Sequence, residues 1–209
     1  MKKAGSEGAD LYRGYDVLAK WESPSYDAKT RAVLERRLRV LPERRFLTEA
    51  EWTLLEAVCA RLLPQPDRVA AIPIAPWIDD MLAENRGEGF RHEGAPPLRE
   101  TWRRGLAGLE AEAVRRHGRR FADLPVEAQD ETLRAVQADD VAAAEWKGLS
   151  APQFFVQVLL KTAAGIYYAH PDAWSEIGFG GPASPRGYVR MGPDERDPWE
   201  ARETPRGRR

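Results

Sequence analysis

Few residues in this 209-residue sequence could act as nucleophiles, general bases or soft metal ligands, and they stand far apart. The histidines are His92, His117 and His170, and the single cysteine is Cys59. One cysteine forms no internal disulfide and cannot build a multi-cysteine zinc site. No Gly-x-Ser-x-Gly or His-Glu-x-x-His motif is present. We therefore predict no catalytic residue and no metal site, and we interpret Cys59 as a small apolar residue on a helix face.

Two pairs of neighbouring carboxylates, at 79–80 and 139–140, could in principle share a proton. Adjacent residues point to different sides of a helix, so neither pair is expected to form an acid–base dyad. His117 lies at the end of a predicted helix, where the helix dipole favours a cation. These residues are therefore interpreted as structural.

The sequence GFGG at 178–181 resembles a phosphate-binding loop only in its glycines. Such a loop needs a strand before it and a helix N-terminus after it, because the helix end supplies N–H donors. Here prolines at 182 and 185 follow the glycines and prevent a helix from starting in the required way. No phosphate or dinucleotide cofactor is expected in this chain.

Charge and hydropathy patterns exclude further classes of protein. The 32 Lys and Arg residues nearly balance the 33 Asp and Glu residues, for a formal net charge of −1. A nucleic-acid-binding protein needs a clustered basic excess, so no nucleic-acid partner is expected. No apolar run reaches the ~18 residues of a transmembrane helix. Residues 4–20 contain no apolar signal-peptide core, and we expect a cytoplasmic protein.

Apolar residues recur with the helical period along most of the chain, and no segment alternates long enough to predict a strand. Thr48 and Glu51 predict a capping box at the start of the clearest helix. Gly118 is the expected left-handed C-cap of another helix. Residues 150–168 are the most apolar and are predicted to form the central buried helix. The predicted fold class is all-α: a single helical domain of about six helices with an irregular Gly/Pro-rich C-terminal loop region.

The stretch YYAHPDAWSEIGFGGPASPRGY at 167–188 combines aromatic residues with glycines and prolines. Glycine permits close backbone approach and proline stiffens extended segments, so the stretch could form a rigid aromatic surface of the kind that anchors protein interfaces. Alternatively, its aromatic residues fold back and cap the central helix. The residues expected to contact a partner are His170, Pro171, Trp174, Phe179, Gly180, Gly181, Pro182 and Tyr188.

Three blocks of sequence follow one another in a recognisable order. They are FLTEAEWTLLEAVCARLLPQPD at 46–67, WRRGLAGLEAEAVRRHGRRFADLPVEAQDETLRAVQ at 102–137 and FFVQVLLKTAAGIYYAHPDAWSEIGFGGPASPRGY at 154–188. Together they resemble the opening, the middle signature and the end of the gluconate 2-dehydrogenase subunit 3 family. This family is also known as the small gamma subunit of membrane-bound sugar and polyol dehydrogenases.

The resemblance implies an accessory subunit with no catalytic residue and no cofactor of its own. Its implied partner is a flavin-dependent catalytic subunit of the glucose–methanol–choline (GMC) type, which would carry FAD, and a multihaem cytochrome c would take the electrons. The family's small subunit helps the flavoprotein mature and exports it by means of a twin-arginine leader. The opening MKKAGSEGADLYRGYDVLAK has no arginine pair and no apolar core. The chain is therefore expected in the cytoplasm, or in the periplasm if a partner carries the signal.

The expected organisation has three parts. Residues 1–44 form an N-terminal arm and a basic helix, residues 45–190 form the helical domain similar to gluconate dehydrogenase subunit 3, and residues 191–209 form a polar tail. Two other functions stay open at this point. One is a stand-alone enzyme that uses His170 or His92 in a pocket lined by the C-terminal loop, and the other is a helical scaffold without a redox partner.

Overall fold

The structure is a computed structural model that describes residues 11–66, 68–87, 96–182, 192–193 and 195–203. All regular structure in these residues is helical, which confirms the all-α prediction. The helices that they form are α1 (Ala28–Arg39), α2 (Glu49–Leu62), α3 (Ile74–Ala83), α4 (Leu98–His117), α5 (Val126–Gln137), α6 (Ala151–Gln153, Phe154–Leu160 and Lys161–Ala169 without a break) and α7 (Pro171–Trp174). Short 3-10 turns lie at Val17–Lys20, Phe121–Asp123, Ala144–Trp146 and Ser175–Ile177.

Among the described helices, none is long and apolar enough to cross a membrane.

The chain divides into two compact units. Unit 1 consists of residues 1–40 and 168–209, and unit 2 consists of residues 41–167. The boundaries expected from composition and from the resemblance, at 44/45 and 190/191, stay predictions. A unit assembled from two distant stretches of chain leaves no mark in local composition, because its existence depends on contacts between residues far apart in sequence.

Helix ends in unit 2 follow the signals expected from the sequence. The Thr48 backbone N–H donates to the Glu51 carboxylate at 2.8 Å, and the Glu51 N–H donates to the Thr48 hydroxyl at 3.3 Å, which confirms the capping box. Gly118 caps α4 with φ of +70°, in the left-handed region that glycine adopts without steric cost. Both ends are therefore fixed by local sequence.

The middle of α6 differs from the expected ordinary helix. Phe154–Leu160 forms a π-helix, a local widening of the helix that hydrophobic periodicity does not reveal. The Phe154 ring lies edge-on to Trp102, with ring centres 5.9 Å apart. It also overlaps the space that a side chain on Gly105 of α4 would occupy. Helix α6 also keeps a solvent-facing side, since Val156 is exposed, so it is less completely buried than predicted.

The neighbouring carboxylates of α3 point to different environments, as expected for adjacent helix residues. Asp79 is fully buried and accepts backbone N–H groups of Arg45, Phe46 and Leu47 at 2.6, 3.1 and 2.7 Å. Asp80 instead pairs with the Arg45 guanidinium at 2.6 Å. Asp79 therefore fixes the segment that enters α2, because three otherwise unpaired amides depend on it.

Glu112 of α4 is a second buried carboxylate, with 0% of its surface exposed. It accepts the backbone N–H groups of Ala142 and Ala143 at 2.6 and 2.7 Å and the Arg115 guanidinium at 2.7 Å. Burial acts to raise the pKa of Glu112, but the hydrogen bonds from Ala143, Arg115 and Ala142 outweigh burial and lower the pKa below its ordinary value. The charged carboxylate thus holds the loop after α5 against α4.

Replacing Glu112→Gln should lower the free energy of unfolding by about 3 kcal/mol at neutral pH, because both carboxylate oxygens accept hydrogen bonds and the amide keeps only one acceptor oxygen. A carboxyl group whose pKa is lowered by folding contributes stability that is complete well above its ordinary value of 4.5 and is lost as pH falls through the folded-state pKa. The difference between wild type and variant, measured by urea unfolding, should therefore shrink below pH ~4.5. Glu131→Gln, on the exposed side of α5, is the matched control with little effect. A difference that stays constant with pH would contradict this account.

Unit 1 contains structure where an N-terminal arm was expected. Val17, Tyr26 and Leu34 are buried together with Trp174 in one apolar cluster. The Val17 backbone N–H donates to the Ser175 hydroxyl at 3.1 Å, which joins the two stretches of chain that build the unit. Val17 and Tyr26 thus contribute to a folded core, because their side chains pack with Trp174 near the C-terminus. Residues 1–10 lie outside the described part of the chain.

Candidate functional site

The segment that begins at His170 is fixed to the end of α6. His170 is the N-cap of α7, and its Nδ1 accepts the Asp172 backbone N–H at 3.3 Å. Trp174 is only 3% exposed, and its indole N–H donates to the Tyr168 carbonyl, in the last turn of α6, at 2.8 Å. Arg37 of α1 donates to the neighbouring Ala169 carbonyl at 3.2 Å. Carbonyls that have no partner within α6 are thereby satisfied.

Two glycines shape the turn after α7, and each is required by its surroundings. Gly178 has φ of +66° and Gly181 has φ of +71°, values that side-chain-bearing residues rarely adopt. A Cβ on Gly178 would overlap the Tyr12 ring, and one on Gly181 would lie 2.5 Å from the Tyr26 hydroxyl. The Phe179 N–H is already bonded to the Trp174 carbonyl at 2.9 Å. The glycines at 178 and 181 therefore permit close packing against Tyr12 and Tyr26.

Lys20 connects the N-terminal stretch of unit 1 to the same turn. Its side chain is buried, and its ammonium donates to the Ser25 hydroxyl at 3.1 Å and to the Gly180 carbonyl. The ammonium also lies 4.8 Å from the centre of the Tyr26 ring, a cation–π contact. Burial, and after it the nearby Tyr15 and Asp16, raise the pKa of Tyr26. Lys20 thus joins the N-terminal stretch to the Gly180 turn by hydrogen bonds inside unit 1.

A groove of about 410 Å³ runs along α1 in unit 1. Its lining residues are Lys29, Thr30, Val33, Leu34, Arg37, Trp174, Phe179 and Pro182. Although they line an apolar hollow, Val33 is 54% exposed and Phe179 is 46% exposed. Large apolar side chains that stay this exposed around one hollow indicate a binding surface.

Phe179 also lines a second, more polar hollow of about 320 Å³. The other residues around it are Tyr12, Gly178, Gly180, Arg196, Glu200, Ala201 and Glu203. The Phe179 ring is held edge-on against Trp174, with ring centres 5.3 Å apart. Phe179 is therefore an exposed aromatic residue on a rigid base, between two concave surfaces.

The residues predicted to contact a partner fall into groups that differ in exposure. Phe179 is exposed, and Gly180 and Pro182 are half-buried. The buried members are His170, Pro171, Trp174 and Gly181, and Tyr188 lies outside the described residues. Trp174 therefore fits the alternative prediction, in which aromatic residues fold back onto the central helix. Its ring is buried, and its indole N–H bonds to a carbonyl in the last turn of α6. The buried residues support the surface on which Phe179 stands.

The described residues that were considered for catalysis have structural surroundings. His117 is the last residue of α4, as predicted, and His92 lies outside the described part of the chain. Within the described residues, no three His, Cys, Asp or Glu side chains form a group able to hold a metal ion. Asp140 follows the end of α5 and pairs with Arg116 at 2.8 Å, and Asp139 adopts φ of +62°. The pair at 139–140 thus lies in a turn and not on a helix as assumed.

Sequence reasoning missed the N-terminal contribution to this surface. Lys20, Tyr26 and Val33 line or support it, although all three fall in the stretch interpreted as an arm and a basic helix. The available signal was the apolar and aromatic content of 15–26, YDVLAKWESPSY, within an otherwise polar lead. Periodicity gave no indication, because only one short 3-10 turn forms there.

Cys59 should react slowly with thiol reagents in the folded protein. Its side chain is 5% exposed, and burial, with a smaller contribution from the charge of Glu56, raises its pKa to about 12. Since the thiolate is the reactive form, labelling by a disulfide reagent at pH ~8 should be at least ~100-fold slower than in urea. A control chain that combines Cys59→Ala with Ala32→Cys, on the exposed side of α1, should label rapidly without denaturant. Equal rates for both cysteines would contradict this expectation.

Trp174→Ala and Phe179→Ala should separate the supporting residue from the exposed one. Trp174→Ala leaves a large cavity and removes the hydrogen bond to the Tyr168 carbonyl, and should cost about 3–5 kcal/mol of stability. Phe179→Ala should cost about 1 kcal/mol or less, because nearly half of the ring is already in water. Thermal and urea unfolding of the full chain measure both. If Phe179→Ala is as destabilising as Trp174→Ala, Phe179 belongs to the core and not to a binding surface.

Comparison with known proteins agrees with the order of the sequence blocks. The family model for gluconate 2-dehydrogenase subunit 3 matches residues 49–181, more than half of the chain. The match begins at the first residue of α2 and ends at the glycine turn after α7. No curated protein and no solved structure matches the chain. The chain belongs to the gluconate 2-dehydrogenase subunit 3 family.

Proposed function

We propose that this protein is a non-catalytic accessory subunit of a dehydrogenase complex, and that it binds and stabilises a flavin-dependent catalytic subunit of the GMC type. Membership of the gluconate 2-dehydrogenase subunit 3 family supports the first part, because the family is named for a subunit of such a complex. The observation that carries the second part is the exposed Phe179 ring beside an apolar groove. An apolar surface of this kind gains stability when a partner covers it.

The surface around Phe179 has the properties of an anchor for a partner. Its backbone is constrained by the left-handed glycines on either side, and its ring rests against the buried Trp174. A side chain that is already ordered loses little conformational entropy when it binds. Aromatic residues held in this way contribute a large share of binding energy in protein interfaces. Gly180 and Pro182 flank the ring and would belong to the same contact.

The proposal places the redox chemistry in the partner. FAD would be bound by the catalytic subunit, and a multihaem cytochrome c would accept its electrons. This chain would contribute no catalytic residue, and His170, a candidate base in the alternative of a stand-alone enzyme, has one ring nitrogen engaged in capping α7. The compartment would follow the partner: the cytoplasm for a purely stabilising subunit, or the periplasm if the complex is exported.

A tagged chain purified from its native organism should bring with it a large flavoprotein. The complex should show the absorbance of oxidised flavin, which a reductant bleaches, whereas the isolated chain should be colourless. Phe179→Ala should weaken the association by about 2 kcal/mol, about 30-fold. Ile177→Ala is the matched control, because Ile177 is similarly exposed in the same unit but lines neither hollow.

Two outcomes would contradict the proposal. A chain that purifies alone and colourless from cells that express it at native levels would reject the accessory-subunit function. Retention of the flavoprotein at equal strength by Phe179→Ala and Ile177→Ala would leave the function in place but reject Phe179 as an anchor. The unfolding measurements on Phe179→Ala show whether any lost binding comes from lost folding.

A further inference from the structure

The groove along α1 is bordered by basic side chains. Asp27 at the N-cap of this helix is a nearby carboxylate, whose pKa is lowered by the hydrogen bond from the Thr30 N–H and further by Lys29. Helix α1 carries five basic residues and a single acidic one, Glu35. Glu35 pairs with Arg39 at 3.2 Å, and Arg31 donates to backbone carbonyls inside unit 1. This leaves Lys29, Arg36 and Arg37 without a carboxylate at ion-pair distance among the described residues. Two of these three, Lys29 and Arg37, line the groove.

Between these cations the groove is apolar. Val33 lies one helical turn from each of them, so the three side chains project from the same face of α1. Phe179 and Pro182 contribute to the lining from the C-terminal stretch of unit 1. Of the residues that the structure describes, no Asp or Glu lines the groove, so the described lining is an apolar surface with a cation towards each end of its α1 side. A complementary molecule must therefore combine an apolar group with negative charges on both sides of it.

We propose that this groove binds a polypeptide segment of the partner, in which a large aliphatic or aromatic side chain is flanked by Asp or Glu residues. The apolar side chain inserts between Val33 and Phe179. The flanking carboxylates pair with Lys29 and Arg37 at the rim. The inference deepens the proposed function and rests on it in one respect, since the segment is taken to belong to the catalytic subunit.

Charge complementarity and the shape of the surface favour a protein segment over a lipid membrane. A helix that binds in a membrane surface presents a broad apolar face, whereas the apolar residue Leu34 of α1 is turned into the core and Val33 lies in the recess. A recess with cations on its rim is instead typical of protein interfaces. There an apolar side chain of the partner is buried at the centre, and charges at the rim orient it. The rim cations would mainly guide association and fix the register of the bound segment.

Site-specific photo-crosslinking in the native organism tests the inference directly. The photoreactive residue p-benzoylphenylalanine replaces Thr30, which lines the groove. In a matched control it replaces Ala32, which is exposed on the same helix but does not line the groove. After irradiation, mass spectrometry identifies the attached peptide. The expected product from position 30 is a segment with a large apolar residue between acidic residues, and it should be at least ~10-fold less abundant from position 32.

A charge variant tests the second half of the inference. Lys29→Glu in the Thr30 crosslinking chain should reduce the adduct about fivefold, because an attraction becomes a repulsion. Arg36→Glu makes the same change in charge outside the groove and should leave the yield nearly unchanged. Lys29→Glu places a carboxylate in the first turn of α1, where the helix dipole favours it, so loss of folding is not expected. Added salt should lower the adduct yield as well.

The outcomes distinguish this inference from the proposed function. A flavoprotein that co-purifies but never crosslinks from position 30 overturns the groove inference and leaves the accessory-subunit function standing. An acidic–apolar segment from a protein that is neither the flavoprotein nor a cytochrome co-purifying with it supports the groove inference and rejects the proposed function. An adduct with lipid, with a second copy of this chain or with a segment lacking carboxylates overturns the inference, and so does the absence of any adduct.

Discussion

The hydrogen bond from the Trp174 indole to the Tyr168 carbonyl is the interaction on which unit 1 depends. It pairs a buried donor with a carbonyl that the end of α6 leaves without a helical partner. The same ring fills the centre of the apolar cluster that holds Val17, Tyr26 and Leu34. The Trp174 side chain thus donates a hydrogen bond to the last turn of α6 and packs with apolar residues from a stretch of chain that is distant in sequence.

The exposed surface follows from that buried ring. Once Trp174 is fixed, the chain must turn within a few residues, and Gly178 and Gly181 supply the left-handed conformations that the turn needs. Lys20 then holds the carbonyl of Gly180 from the other side. Phe179, between the glycines, packs edge-on against Trp174 and remains 46% exposed. The position of Phe179 therefore depends on the buried Trp174 against which its ring packs. Replacing Trp174 would change the exposed surface indirectly.

Local rules predicted what depends on neighbouring residues, and they failed where distant residues meet. The capping box of Thr48, the C-cap at Gly118 and the end of α6 before Pro171 all follow from short sequence signals. Periodicity did not indicate the π-helix at Phe154–Leu160, whose first residue packs against Trp102 of α4. The buried Lys20 side chain bonds a carbonyl 160 positions away, which local rules do not detect. The C-terminal stretch was correctly singled out as unusual, but sequence alone did not show that Trp174 is buried and Phe179 exposed. That distinction depends on the packing of Trp174 against Val17, Tyr26 and Leu34, which are distant in sequence.

The residues that line the groove come from two parts of the chain, and the helix α1 lies outside the residues that match the family model. Trp174 and Phe179 lie within the residues that match the family model, whereas the whole of α1 precedes them. The apolar anchor is therefore built on the fold that defines the family, and the charges beside it are added by a separate helix. Apolar contact supplies most of the affinity in such an arrangement, and the charges select among partners that offer similar apolar groups. On this reasoning, α1 is where the choice of one catalytic subunit over another would be made.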